Sequence, residues 1–114
     1  MNVRFMRLLL FFDLPTETNT DLKRYRDFIK FLKKDGYMRM QYSVYTKLCI
    51  NADAAVTVSK RLKKNYPSKG DIRFMVVTEN QYQNIEILNE THRLQEKITN
   101  INRMLIIGGG KNVD

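Results

Sequence analysis

The stretch Phe5-Met6-Arg7-Leu8-Leu9-Leu10-Phe11-Phe12-Asp13-Leu14-Pro15 decides the fold. From Leu8 to Phe12 it is unbroken apolar sequence, too short for a membrane span or for the apolar part of a secretory leader. Its length, its aromatic residues and the stop at Pro15 read as a central strand covered on both faces.

Outward from that strand, Thr16–Thr20 is a polar loop with several possible N-caps, and Asp21 falls in the first turn of a helix. Leu22, Tyr25, Phe28, Ile29 and Leu32 recur at helical spacing on one face, and Lys33-Lys34-Asp35-Gly36 ends the helix. Tyr37–Ile50, rich in β-branched and aromatic residues, predicts two strands joined by a tight turn or bulge near Gln41–Ser43. Asn51 caps a second helix that carries Ala55, Val58, Leu62 and Tyr66 inward, until Pro67 stops it. After Ser68-Lys69-Gly70, Ile72–Val77 is another strand. The order is β-α-β-β-α-β, an α+β, ferredoxin-like plan.

The remainder is less regular. Tyr82–Leu88 reads as a short fifth strand with Ile85 and Ile87 on one face. Asn89–Arg103 is polar, with a sparse apolar series at Leu94, Ile98 and Ile101. Met104–Ile107 is a short apolar, strand-like run before Gly108-Gly109-Gly110, suited to docking on a partner's sheet edge. The expected organisation is a ferredoxin-like domain over residues 1–88 and an extension over 89–114 that adds a C-terminal strand.

Composition narrows the partner. A chain of 114 residues and 13.5 kDa, 43% hydrophobic, has room for one packed core, and at this size a dimer interface adds needed burial. Twenty Lys and Arg against 12 Asp and Glu leave a formal charge of +8, which favours a polyanion: DNA, RNA or an anionic membrane surface. The single cysteine, Cys49, cannot form an intrachain disulfide, and a buried thiol in a cytoplasmic protein is the expectation.

The cations are patterned. Lys23, Arg26, Lys30 and Lys33 form a stripe along the first helix, and the second adds Lys60, Arg61, Lys63 and Lys64, with Lys69 following. One stripe is equally a solvated helix face. Two tracts on helices that share a sheet face point instead to a nucleic-acid backbone, bound through counterion release without reading sequence. Asp13 ends the most apolar strand, where it is expected at the sheet edge with little water around it. It is either a turn aspartate before Leu-Pro or a ligand for a hard cation such as Mg²⁺. One carboxylate per chain is too few for a metal, so the second reading needs a two-fold dimer that pairs Asp13 with its copy. Glu17 and Asp21 are helix-start residues first and assistants second. His92 has no Cys or His neighbour and is a surface residue, and no nucleophile triad, phosphate loop or zinc spacing can be assembled. An RNA-recognition module of the same plan would need a Lys/Arg-Gly-aromatic signature, which Val44-Tyr45-Thr46-Lys47-Leu48 lacks.

Arg7-Leu8-Leu9-Leu10-Phe11-Phe12-Asp13-Leu14-Pro15 resembles the first-strand signature of the CRISPR-associated protein 2 family. Tyr25-Arg26-Asp27-Phe28, Gly36-Tyr37, Gln41-Tyr42-Ser43-Val44-Tyr45, Gly70-Asp71-Ile72 and Val77-Thr78-Glu79 continue the match in order. The Phe-Asp-Leu-Pro version and the extended C-terminal segment are similar to the type II branch. The resemblance implies a ferredoxin-like homodimer that bridges dimers of the integrase, CRISPR-associated protein 1, and supports double-stranded prespacer DNA during spacer acquisition. It also implies a possible Mg²⁺-dependent endonuclease, acting on RNA or DNA, with Asp13 as both the catalytic and the metal-binding residue across the two-fold axis. Lys23, Arg24 and Arg26 are the residues it places on the DNA backbone. A free-standing endonuclease that works without the integrase is the alternative it leaves open.

Overall fold

The computed structural model describes residues 4–89, and the chain divides into two units, residues 1–83 and 84–114. The first contains β1 (Met6–Asp13), α1 (Asn19–Lys34), β2 (Met38–Gln41), β3 (Val44–Cys49), α2 (Ala52–Lys63), β4 (Asp71–Thr78) and a short α3 (Glu79–Gln83). The strands form one antiparallel sheet in the order β2-β3-β1-β4, so β1 is central as its apolar run predicts. This is the ferredoxin-like arrangement.

Local chemistry sets the boundaries. Thr18 caps α1: its hydroxyl accepts from the Asp21 N–H at 3.0 Å, while Asp21 Oδ2 accepts from the Thr18 and Glu17 N–H groups. That reciprocal box buries Asp21 and holds its carboxyl below the usual range, chiefly through the Thr18 N–H. Asn51 Oδ1 accepts from the Ala54 N–H at 2.7 Å and starts α2. β2 and β3 pair with a register shift between Arg39 and Gln41, the irregularity expected near the turn.

Both helices cover one face of the sheet. Leu8, Leu10 and Phe12 of β1 pack with Phe28 and Leu32 of α1 and with Ala55, Val58 and Leu62 of α2. The Phe12 ring lies edge-on to Phe28 with centroids 5.4 Å apart, and it also meets Tyr25 and Tyr45. Deleting such a ring costs about 3–5 kcal/mol, so Phe12 is a keystone of this layer.

Four expectations are corrected. β1 is not covered on both faces: right-handed crossovers carry both helices to one side. Among the described residues the side that carries the odd-numbered residues of β1 keeps Phe11, Leu48, Met75 and Met38 exposed. Leu22 is exposed because Asp21, one position earlier, turns inward to cap the helix. Tyr66 is also exposed, since α2 ends at Lys63 and the helical spacing does not reach it. Finally, Tyr82–Leu88 is not a strand. The Thr78 hydroxyl accepts from the Gln81 N–H at 3.1 Å and Gln81 Oε1 accepts from the Thr78 N–H at 2.9 Å. This second capping box turns Glu79–Gln83 into α3, and no strand occurs in 84–89. The readings of Asn89–Arg103 beyond residue 89, of Met104–Ile107 and of the glycine tail lie outside the described residues.

Arg7 fastens α3 to the sheet. Its Nε donates to Glu79 Oε1 at 2.8 Å, its Nη2 donates to Glu79 Oε2 at 2.7 Å, and its guanidinium lies 4.2 Å from the Tyr82 ring centroid. The Arg7 hydrogen bonds hold the Glu79 carboxyl below its ordinary value near 4.5. A carboxyl depressed on folding stabilises the native state above its unfolded value and loses that contribution as pH falls. Urea melts of wild type and Glu79→Gln should therefore differ most at neutral pH, and the gap should close as pH drops below about 4.5.

Gly70 has φ +100°, and a Cβ there would lie 2.6 Å from Leu14 Cδ2 and 2.8 Å from the Asp13 carbonyl oxygen. Gly70→Ala should lower the unfolding free energy by roughly 1–3 kcal/mol, measured by chemical denaturation.

Candidate nucleic-acid interface and carboxylate site

The two kinds of site residue lie on different parts of the fold. Asp13 ends β1 on the side that the helices leave open, directly opposite Asp71 in the β1–β4 register. Alternation puts Phe11 and Arg73 on that side too. Together with Phe12, Ser43 and Val44 these residues line a shallow depression of about 280 Å³. Asp13 is exposed there, which corrects the expectation of a poorly hydrated carboxylate: with no helix on this side, nothing within the described residues covers it.

Asp71 is not an independent second carboxylate. Arg73 grips it with Nε and Nη2 at 2.8 and 2.9 Å, and this bidentate contact keeps the Asp71 carboxyl below its usual range. A hard cation takes six or more oxygens, and no group of three His, Cys, Asp or Glu side chains that could hold a metal occurs among the described residues. The described donors of one protomer therefore do not make a Mg²⁺ site. The site that the resemblance implies needs a second Asp13.

Arg73 is the residue that the sequence reading missed. Its signal was the period-two alternation of β4, which puts it on the side of Asp13, lining the same depression. Its guanidinium stands on that side held in the bidentate contact with Asp71.

The cations sit on the opposite layer, along α1 and α2. Structure separates those that are engaged from those that are not. Lys23 pairs with Asp27 at 2.9 Å, an exposed i,i+4 contact that yields readily to a stronger anion. Arg24 Nη1 lies 3.6 Å from Asp21 Oδ1. Arg61 is different: its Nε donates to Asp35 Oδ1 at 2.9 Å and ties α2 to the C-cap of α1. Arg26, Lys30, Lys33, Lys60, Lys63 and Lys64 make no ion pair within the described residues, and all are exposed. The two tracts that the sequence placed over one sheet face do share it, because both helices pack on the Leu8–Leu10–Phe12 side.

The fold and the site define a small ferredoxin-like domain with a basic helix layer and a carboxylate ending its first strand, and comparison narrows it. Residues 6–85 match the family model of CRISPR associated protein Cas2. The chain belongs to that family. It is 45% identical over 84 residues to the CRISPR-associated endoribonuclease Cas2 of Streptococcus mutans serotype c (strain UA159), covering 74% of this chain and 77% of the relative. A relative of the same name from Acidovorax ebreus is 41% identical over 95 residues, covering 83% of this chain and 93% of its own. Among solved structures, Streptococcus pyogenes Cas2 crystallised at pH 6.5 superposes with a TM-score of 0.53 at 27% identity, covering 73% of this chain and 99% of that one. No helix among the described residues is long and apolar enough to cross a membrane.

The division between engaged and unengaged cations is measurable. Arg61→Ala, which breaks the tie to Asp35, should cost up to about 1 kcal/mol in denaturant melts. Lys30→Ala and Lys60→Ala should each leave stability within about 0.5 kcal/mol.

Proposed function

We propose that the chain acts as a homodimeric scaffold in CRISPR spacer acquisition. In this reading it holds double-stranded prespacer DNA by its phosphates and bridges dimers of CRISPR-associated protein 1. The observation that carries it is the exposed set Arg26, Lys30, Lys33, Lys60, Lys63 and Lys64, without an ion pair among the described residues, on the two helices of one layer. Such a surface gains affinity from counterion release and is indifferent to base sequence. The dimer is supported by the other layer. An open sheet face carrying Phe11, Met38, Leu48 and Met75 is costly to leave in water, and a second copy would bury it and bring the two Asp13 carboxylates toward a common axis. The extension over residues 89–114 is assigned to docking on the partner protomer or the integrase.

A second reading is favoured by the names of the relatives, which are called endoribonucleases. In that reading paired Asp13 residues hold Mg²⁺, whose chemistry would polarise a phosphodiester, and the protein's own part is to orient the backbone, with Arg73 neutralising phosphate charge beside the carboxylates.

DNA affinity should fall steeply with salt and be alike for unrelated duplexes. Seven or so neutralised phosphates would lose roughly 10³–10⁵ in affinity between about 50 and 200 mM salt, and each of Lys30→Ala and Lys60→Ala should reduce the log–log slope by about one. Strong preference for one sequence counts against the scaffold. Asp13→Ala divides the two readings. Cleavage lost with spacer acquisition kept supports the scaffold, whereas loss of both supports the nuclease.

A further inference from the structure

Tyr66 was expected in the core, yet it is 56% exposed, standing just beyond the end of α2. Open space lies on two sides of it. One cleft, of about 350 Å³, runs between Tyr66, Lys63 and Phe74 down to Gly70. A second, of about 240 Å³, lies between Tyr66, Arg24, Phe31 and Asn65. The following Pro67 borders both, and it shares a third, tight contact region with Lys69 and Arg24.

The rim is cationic. Lys63 Nζ lies 5.9 Å from the Phe74 ring centroid at the first cleft, Arg24 lines the second, and Lys69 follows in the same loop. The two carboxylates nearby are already used. Asp27, which lines the second cleft, accepts from Lys23, and Asp21 is occupied by the backbone N–H groups of the α1 cap, with Arg24 Nη1 3.6 Å from its other oxygen. An exposed aromatic ring between two clefts, with Lys63, Lys69 and Arg24 at their rims, is complementary to an anion that carries flat apolar rings. Duplex DNA does not offer them, because its bases are already stacked on one another. An unpaired nucleotide does.

We propose that Tyr66 is a stacking platform for an unpaired base of single-stranded nucleic acid, with Lys63, Lys69 and Arg24 meeting the flanking phosphates. The subsite is distinct from Asp13, but it belongs to the same end of the sheet. Gly70, at the close of the Tyr66 loop, approaches the Asp13 carbonyl so closely that a Cβ would lie 2.8 Å from it. Stacking on a π-face with charge on either side tolerates every base and does not consult the sugar, so single-stranded DNA and RNA should bind alike. This subsite rests on the proposed backbone-binding function only in that both use the basic helix layer.

The test uses the full chain and three labelled probes of about 15 residues, oligo-dT, oligo-rU and a duplex of mixed sequence, a length that spans a typical single-strand site. Tyr66→Ser should weaken both single strands by roughly 5- to 100-fold and leave the duplex within about twofold, while Tyr66→Phe keeps wild-type affinity for all three. Unchanged single-strand binding in Tyr66→Ser, an equal loss on the duplex, or no single-strand binding by wild type overturns the subsite. If wild type fails on the duplex but binds single strands through Tyr66, the scaffold reading falls and the subsite stands.

Discussion

One packing constraint organises the molecule: a central strand whose even-numbered residues, Leu8, Leu10 and Phe12, lie under both helices at once. Each helix has a single apolar stripe, and neither has another surface on which to bury it. Phe28 and Leu32 of α1 and Ala55, Val58 and Leu62 of α2 are buried because they meet that one row. Right-handed crossovers leave no choice of side. Among the described residues the fold is consequently two-layered, with α1 and α2 on one side and, beyond the Arg7–α3 contact, uncovered sheet on the other.

That asymmetry sorts the chemistry. Polar faces of the two helices point away from the shared core, so their lysines and arginines accumulate on one exposed layer without being selected one by one. The bare layer inherits the odd-numbered residues of β1 and β4: apolar Phe11 and Met75, the clamped pair Asp71–Arg73, and Asp13 at the strand end. The basic side chains of the helices and the Asp13 carboxylate thus fall on opposite sides of a thin sheet. Arg7 and α3 define one end of the bare side, where the buried Thr46 lies within 3.5 Å of Arg7 Nη1. The depression at Asp13 defines the other.

The strand order, both long helices, their caps and the core rows were legible because they depend on local signals. These are apolar periodicity, a Thr or Asn before a helix, and glycine or proline after one. The family was legible as a resemblance carried by the strand that ends in Asp13, and the match over residues 6–85 bears out the family. What failed was decided by competition between neighbours. Apolar alternation at Ile85 and Ile87 suggested a strand from Tyr82, but the Thr78–Gln81 capping box just upstream captured the chain into α3 first. The apolar run of β1 looked doubly covered because hydrophobicity on a strand marks a face that is buried somewhere, not the chain that buries it.

By itself, then, the sequence determined the elements, their order, the excess of positive charge and the carboxylate at the end of the first strand, since each is a property of residues close together in the chain. Only the tertiary structure decided which charges are spent and which are free. Arg61 and Asp35 are 26 residues apart, and Arg7 and Glu79 are 72 apart. Arg73 enters the Asp13 site through strand pairing, and Tyr66 reaches solvent because its helix stops short of it. Pairings at such separations follow from how the layers meet, and no local pattern encodes them.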